Sequence, residues 1–257
     1  MKAPCVANHS LNASLSLRLL GIRGEHIVPW DRIPIPDHPV AKTGPGETPF
    51  GLLFVGSLSE DKGLGDCIEA VCLLESHGLP CALTVVGQGD ENKFRVKSAD
   101  AAIADAVNVL GRLSNAEVRE AMRRHDVVIV PSRHSYPEVP PNTLIEGLAS
   151  RTPVIASDHP AFASHLVDGL GVLTFRAADP GHLAERVRGI LTDSALYADL
   201  SLRSTEAKAS LHVGVLGSRL LELFLEDPSG SSWVSEYNLQ RILDVHKNST
   251  QYLRHGR

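Results

Sequence analysis

Residues 131–160 read PSRHSYPEVPPNTLIEGLASRTPVIASDHP, and the fold is decided by how this stretch leaves one apolar run and enters another. Just before it, Val127, Val128, Ile129 and Val130 are β-branched residues in a row, the pattern of a parallel strand buried on both faces. Pro131 and Ser132 end that strand. Pro140-Pro141-Asn142 then suits a helix start, with Asn142 the expected N-cap. The helix places Glu146 about one turn in. Pro153-Val154-Ile155-Ala156 is a second buried strand. One carboxylate, Glu138, therefore sits on a loop and another, Glu146, on the helix that follows it. In open parallel sheets ligands bind at that edge, outside the carboxyl ends of the strands.

The same alternation extends outward. Strands are expected at Leu52–Val55, Leu83–Val86, Val107–Leu110 and Val172–Phe175, and helices at Leu64–Glu75, Ala116–Arg123 and Pro180–Leu191. Each strand ends at small or polar residues, as needed where a ligand approaches the backbone closely. The implied fold is α/β, a Rossmann-like parallel sheet with helices on both faces and right-handed crossovers. Toward the C-terminus, helices are expected over Ala195–Leu202, Val213–Leu225 and Trp233–Val245, with a linker at Asp227–Ser232. Toward the N-terminus, Leu11–Leu20 suits a helix and Ile27-Val28-Pro29 a short strand. The segment after it is rich in proline (Pro34, Pro36, Pro39, Pro45, Pro49), a linker composition. The expected division is 1–49, 50–226 and 227–257.

Composition excludes several functions. A net charge of −5 gives no electrostatic reason to bind nucleic acid or an anionic membrane. No apolar run approaches the ~18 residues of a membrane span. The first ten residues do not form a signal peptide. Cys5, Cys67, Cys72 and Cys81 lack the spacing of a zinc site or disulfide framework, so reduced thiols in a cytoplasmic protein are expected. No carboxylate cluster has metal spacing. Gly87-Gln88-Gly89 lacks the third glycine of a dinucleotide fingerprint, which argues against a redox cofactor.

Glu138 and Glu146, with seven residues between them, together with Glu146-Gly147-Leu148-Ala149 and Thr152-Pro153-Val154-Ile155-Ala156-Ser157-Asp158, resemble the retaining, nucleotide-sugar-dependent glycosyltransferases of the family-4 type, with a GT-B fold. The resemblance covers residues 50–225 well and the first 49 weakly. It implies the donor half of a two-domain hexosyltransferase, with most of the acceptor domain lying outside this sequence. Glu138 would then face the transferred sugar, and Glu146 would bond the ribose hydroxyls. The helix start at Asn142 and Thr143 would turn its amides to the diphosphate. Gly56-Ser57-Leu58-Ser59-Glu60-Asp61-Lys62-Gly63 is similar to the family's phosphate loop, and Lys62 matches its lysine. Ser57 stands where an arginine is often found, leaving Arg112 and Arg133 as candidates to supply the charge. Gly87 and Gly89 either permit a tight turn or border the nucleotide. Gly111-Arg112-Leu113 resembles the segment beside the base.

The resemblance implies a nucleotide sugar, UDP- or GDP-linked, as substrate, and no further cofactor. It also implies a glycan, lipid or small-molecule acceptor, with a separate acceptor-domain subunit as a further partner. The rival readings are a nucleotide-binding module without transfer, the donor subunit of a split enzyme, and a nucleotide-sugar epimerase. His134, His159 and His165 are read as surface or supporting residues.

Overall fold

The computed structural model describes residues 5–9, 11–31, 35–163, 165–212 and 214–244. Two compact units emerge, one built from residues 1–34 and 212–257, the other from residues 35–211. β1 (Val6–His9), α1 (Leu11–Leu19) and β2 (Ile27–Asp31) open the first unit. The second unit carries β3 (Phe50–Val55), α2 (Leu64–Ser76), β4 (Cys81–Val86), α3 (Glu91–Asp100), β5 (Val107–Gly111), α4 (Asn115–Arg124), β6 (Val127–Val130), α5 (Asn142–Ala149), β7 (Val154–Ser157), α6 (Pro160–Ala163), β8 (Leu173–Phe175), α7 (Pro180–Thr192) and α8 (Ser194–Ser210). The chain then returns to the first unit with β9 (Val215–Leu216), α9 (Gly217–Glu226) and α10 (Val234–Tyr237).

The sheet of the second unit is wholly parallel, in the order β5-β4-β3-β6-β7-β8. Its inner strands bury both faces, while the edge strand β5 leaves Asn108 and Leu110 exposed, and the two-residue period divides the buried side chains between two cores. Leu52, Phe54, Val127, Ile129 and Ile155 pack with residues of α2 and α7 such as Ile68, Val71 and Val187. Leu53, Val128, Val130, Val154 and Ala156 pack on the other face with Met122 of α4 and Leu144 and Leu148 of α5. Unbroken β-branched runs are the signature of that two-sided burial. Chain order reverses between β3 and β6, so their carboxyl ends diverge and leave a crevice there.

Three local expectations are corrected. Asn142 is the first residue of α5 rather than its N-cap. Pro141 holds that position without a side-chain bond, and its carbonyl accepts from Leu144 and Ile145. Val213–Leu225 is not one helix. Val213 lies outside the described residues, Val215 pairs with Trp30 of β2, and α9 starts only at Gly217. Helical leucine spacing concealed a two-residue strand there. Trp233–Val245 is likewise broken, with α10 ending at Tyr237 and residues 239–244 forming a further helical stretch; Val245 lies outside the described residues. The four-residue α6 has no counterpart in the sequence reading, and neither does the ten-residue α3. Its charged side chains leave only Phe94 and Ser98 buried, so no apolar face betrays it.

The boundaries of the units also differ from the division read in the sequence. Residues 35–49 are irregular, as their prolines dictate, yet they lie along the second unit. His38 donates its amide to the Ala149 carbonyl at 2.7 Å, Lys42 to Ser201 Oγ at 2.7 Å, and Gly46 to Asp126 Oδ1 at 2.7 Å. The first unit is a three-stranded parallel sheet, β1-β2-β9. Val28, Val215, Leu223 and Trp233 form one of its cores. Among the described residues no helix is long and apolar enough to cross a membrane.

Candidate functional site

The loops that leave β3, β4 and β5 are laced together by backbone bonds. Gly56 donates to the Val86 carbonyl at 2.9 Å, and Gly87 donates to the Gly111 carbonyl at 2.8 Å. Gly87 has φ +148°, and a Cβ there would stand 1.8 Å from the Gly56 carbonyl oxygen, so only glycine lets these loops meet. Thr143 Oγ1 donates to the Val55 carbonyl at 3.1 Å and holds the start of α5 against the end of β3.

Between these loops and the first turns of α4 and α5 lies a cavity of about 350 Å³. Eight of the residues singled out in the sequence line it: Gly56, Ser57, Gly87, Arg112, Leu113, Asn142, Thr143 and Glu146. Val55, Val86, Gln88, Asn115 and Val118 complete it. Asn115 and Val118 carry no motif; they arrive because α4 begins beside the cavity, fixed by a capping box in which Ser114 and Glu117 bond each other's backbone amides. Glu146 is half-buried, with Arg119 Nη1 3.9 Å away. Burial raises its carboxyl above the ordinary glutamate range, and the Arg119 charge offsets part of that rise.

Lys62 and Glu138 are brought together beside the cavity rather than in its lining. Lys62 Nζ forms an ion pair with Glu138 Oε2, and the two side chains are 15% and 7% exposed. Ser132 Oγ donates to the same carboxylate oxygen at 2.9 Å. The ammonium also lies 4.4 Å from the centre of the Tyr136 ring. The lysine stem runs past Gly56: its Cδ would lie 3.9 Å from a Cβ at that position. The pair therefore stands next to the cavity wall.

Loop 57–63 is clamped to loop 131–136. Gly63 opens α2 with φ +76°, and a Cβ there would come within 2.1 Å of the Pro131 carbonyl oxygen. Arg133 donates its amide to the Asp61 carbonyl at 2.8 Å, and Ser135 Oγ donates to Asp61 Oδ1 at 2.6 Å. The Arg133 guanidinium grips buried Asp66 through two bonds of 2.9 and 2.6 Å. Of the two arginines that could have supplied charge in place of one at Ser57, Arg133 is thus spent on Asp66. Sequence reasoning missed Asp66, because nothing local says that a carboxylate in an apolar helix start has its partner 67 residues away.

The histidines divide. His134 is exposed, with Nε2 2.8 Å from Asp158 Oδ1. His159 is buried, its Nε2 3.0 Å from the Tyr136 carbonyl and its ring stacked on Phe162. His165 accepts a bond from Ser210 Oγ through its backbone carbonyl. Arg151, just past the end of α5, donates to the carbonyls of His38 and Leu202 rather than to Glu146. Among the described residues no group of three or more His, Cys, Asp or Glu is placed to hold a metal ion.

A parallel sheet in this order, with a cavity at the reversal point bounded by glycine loops and a helix start, defines a Rossmann-like domain of the GT-B class. Known proteins agree: residues 39–207 match the family described as glycosyl transferases group 1, and the chain belongs to that family. It is 30% identical over 181 residues to a phosphatidyl-myo-inositol mannosyltransferase of Mycolicibacterium smegmatis, covering 70% of this chain and 46% of that protein. It is 28% identical over 157 residues to a glycogen synthase of Mycobacterium tuberculosis, covering 60% of this chain and 36% of that protein. In three dimensions it is similar to Anabaena HepE, solved in complex with UDP, with a TM-score of 0.71 and 16% identity over 87% of this chain and 64% of that one. The chain spans less than half the length of these two curated relatives.

Proposed function

We propose that residues 35–211 form the donor-binding half of a retaining glycosyltransferase that takes a nucleotide sugar, with UDP or GDP as its nucleotide. The observation that carries this reading is the cavity at the reversal point, which pairs one half-buried carboxylate, Glu146, with the amide end of a helix. An ionised carboxylate accepts two hydroxyls at once, which suits a ribose. First-turn amides of α5 at Asn142 and Thr143 suit a diphosphate, since helix dipole and donors favour an anion.

Lys62 and Glu138 then divide the reacting end between them. Glu138 receives hydroxyls of the sugar, and Lys62 neutralises charge on the departing diphosphate. Preorganised charge at a leaving group is a large catalytic contribution in its own right. The acceptor hydroxyl bonds to the anomeric carbon on the face where the bond to the diphosphate breaks and passes its proton to the departing diphosphate oxygen, which keeps the configuration. The names of the relatives span mannosyl transfer and glycogen synthesis, so the family accommodates more than one sugar and more than one acceptor.

The test is calorimetric titration of the chain with UDP, GDP and ADP, alone and as sugar conjugates, alongside Glu146→Ala. Binding of one nucleotide, lost in the variant, is the expected result. Binding that survives Glu146→Ala would remove the ribose role, and a chain that binds none of them overturns the reading. Transfer itself is assayed after adding an acceptor-type domain from a two-domain relative.

A further inference from the structure

The cavity contains one feature that its loops and helix start do not explain. Among the thirteen described residues that line it, Arg112 is the only cation and Glu146 the only anion. Glu146 already faces Arg119. Arg112 is exposed, and among the described residues it has no ion-pair partner. The nearby cations are committed: Lys62 to Glu138, Arg133 to Asp66 and Glu60, Lys97 to Glu69. Arg112 follows directly on Gly111, whose carbonyl accepts the Gly87 amide at 2.8 Å, so its backbone origin is fixed while its guanidinium is uncommitted. Ser57 lines the same cavity from another loop and brings a hydroxyl but no charge.

We infer that Arg112 is the cation that anchors the diphosphate of the donor in this cavity, the one side chain there able to bridge two phosphoryl groups. Its planar fork matches two phosphate oxygens, which a lone ammonium cannot do. The assignment rests on the nucleotide-sugar reading, and it differs from a role beside the base in a way that binding can detect: a diphosphate anchor discriminates by phosphate count, whereas a base contact acts equally on nucleoside and nucleotide.

The experiment titrates uridine, UMP and UDP, or the guanosine series if that base is bound, into the full chain carrying Arg112→Met, Arg112→Lys, or Arg112→Met with Ser57→Arg. Arg112→Met is expected to weaken UDP by about 10- to 100-fold while uridine changes less than about twofold. Its UDP affinity should also depend less steeply on salt. Arg112→Lys should fall between, and Ser57→Arg should restore much of the loss by bringing an arginine back from the facing loop. Equal losses for uridine and UDP would overturn the inference in favour of a base contact. Unchanged UDP binding in Arg112→Met, with binding still lost in Glu146→Ala, would overturn it while leaving the donor-site reading standing. A wild-type chain that binds no nucleotide would overturn both. Arg112 is exposed, so circular dichroism and urea midpoint should match the wild type, separating a binding loss from misfolding.

Discussion

If Lys62 serves the leaving diphosphate, Glu138 competes with that ligand, and replacing Glu138 by glutamine should tighten nucleotide binding while abolishing transfer. The structure holds Lys62 and Glu138 as a nearly buried ion pair, with Ser132 as a second donor to the carboxylate. Two unit charges about 4 Å apart at an effective dielectric of 20 attract by about 4 kcal/mol. Glutamine keeps an acceptor for Ser132 and for Lys62, so only the charge is lost. A bound diphosphate need not break the whole pair, because an ammonium has three protons to share. Roughly a third of the attraction should therefore reappear as affinity, about 1–2 kcal/mol, or 5- to 30-fold in the UDP dissociation constant. Calorimetry on wild type, Glu138→Gln and Lys62→Met checks this; Lys62→Met should weaken UDP. The cost appears in stability, since part of a buried pair is lost, and the urea midpoint of Glu138→Gln should fall. Unchanged or weaker UDP binding in a folded Glu138→Gln would refute the competition, and an unaffected Lys62→Met would remove the lysine from the diphosphate site.

Glu146 carries a pH prediction. Its carboxyl is raised by burial, so the fold favours the protonated form, and this contribution is present below the unfolded pKa and lost as pH rises through the folded one. Glu146→Gln should therefore raise stability at neutral pH by less than about 1 kcal/mol after solvent screening, while weakening UDP, and UDP binding to wild type should fall off in acid sooner than an ordinary glutamate allows. Gly87→Ala meets the Gly56 carbonyl at 1.8 Å, so the loops must part; UDP binding should be lost and stability should drop by about 2 kcal/mol or more, read by calorimetry and urea unfolding. Lys42, bonded to the His125 carbonyl, is lowered by burial to about 8, so the unfolded chain binds its proton more tightly and wild type should gain stability over Lys42→Met as pH rises from 8 toward 10.5. Paired urea titrations across that window give the slope, and a flat difference would refute it.

Much of the second unit could be read directly because its inner strands bury both faces. Val127–Val130 and Val154–Ala156 show nothing but apolar residues, and two-sided burial leaves no polar alternation to confuse with a helix. Glu146 and Thr143 fell on the cavity because they occupy fixed steps of a helix whose start is set by the prolines before it. What stayed hidden depends on partners far along the chain. The strand at Val215 forms only because β2 offers an edge nearly two hundred residues earlier, and two residues cannot declare a period. The charged α3 survives on a cap at Asp90, whose carboxylate accepts the Lys93 amide at 3.1 Å, and on a single buried phenylalanine.

The sheet order itself explains why the chemistry divides as it does. Because β3 and β6 are neighbours with 71 residues of chain between the end of one and the start of the other, the loops after them, 57–63 and 131–141, face each other across the reversal point. That adjacency brings Lys62 to Glu138 and Asp66 to Arg133, two contacts with opposite consequences. The Arg133–Asp66 grip is bidentate and its carboxylate is almost fully buried, so it fixes the frame. The Lys62–Glu138 pair lies beside the cavity wall at Gly56, where an anion could draw the ammonium away. A loop anchored firmly at one charge pair and exchangeable at the next can admit a diphosphate without rebuilding its backbone. On this reading the serine at position 57 carries little cost, since Arg112 reaches the same cavity from the third loop along.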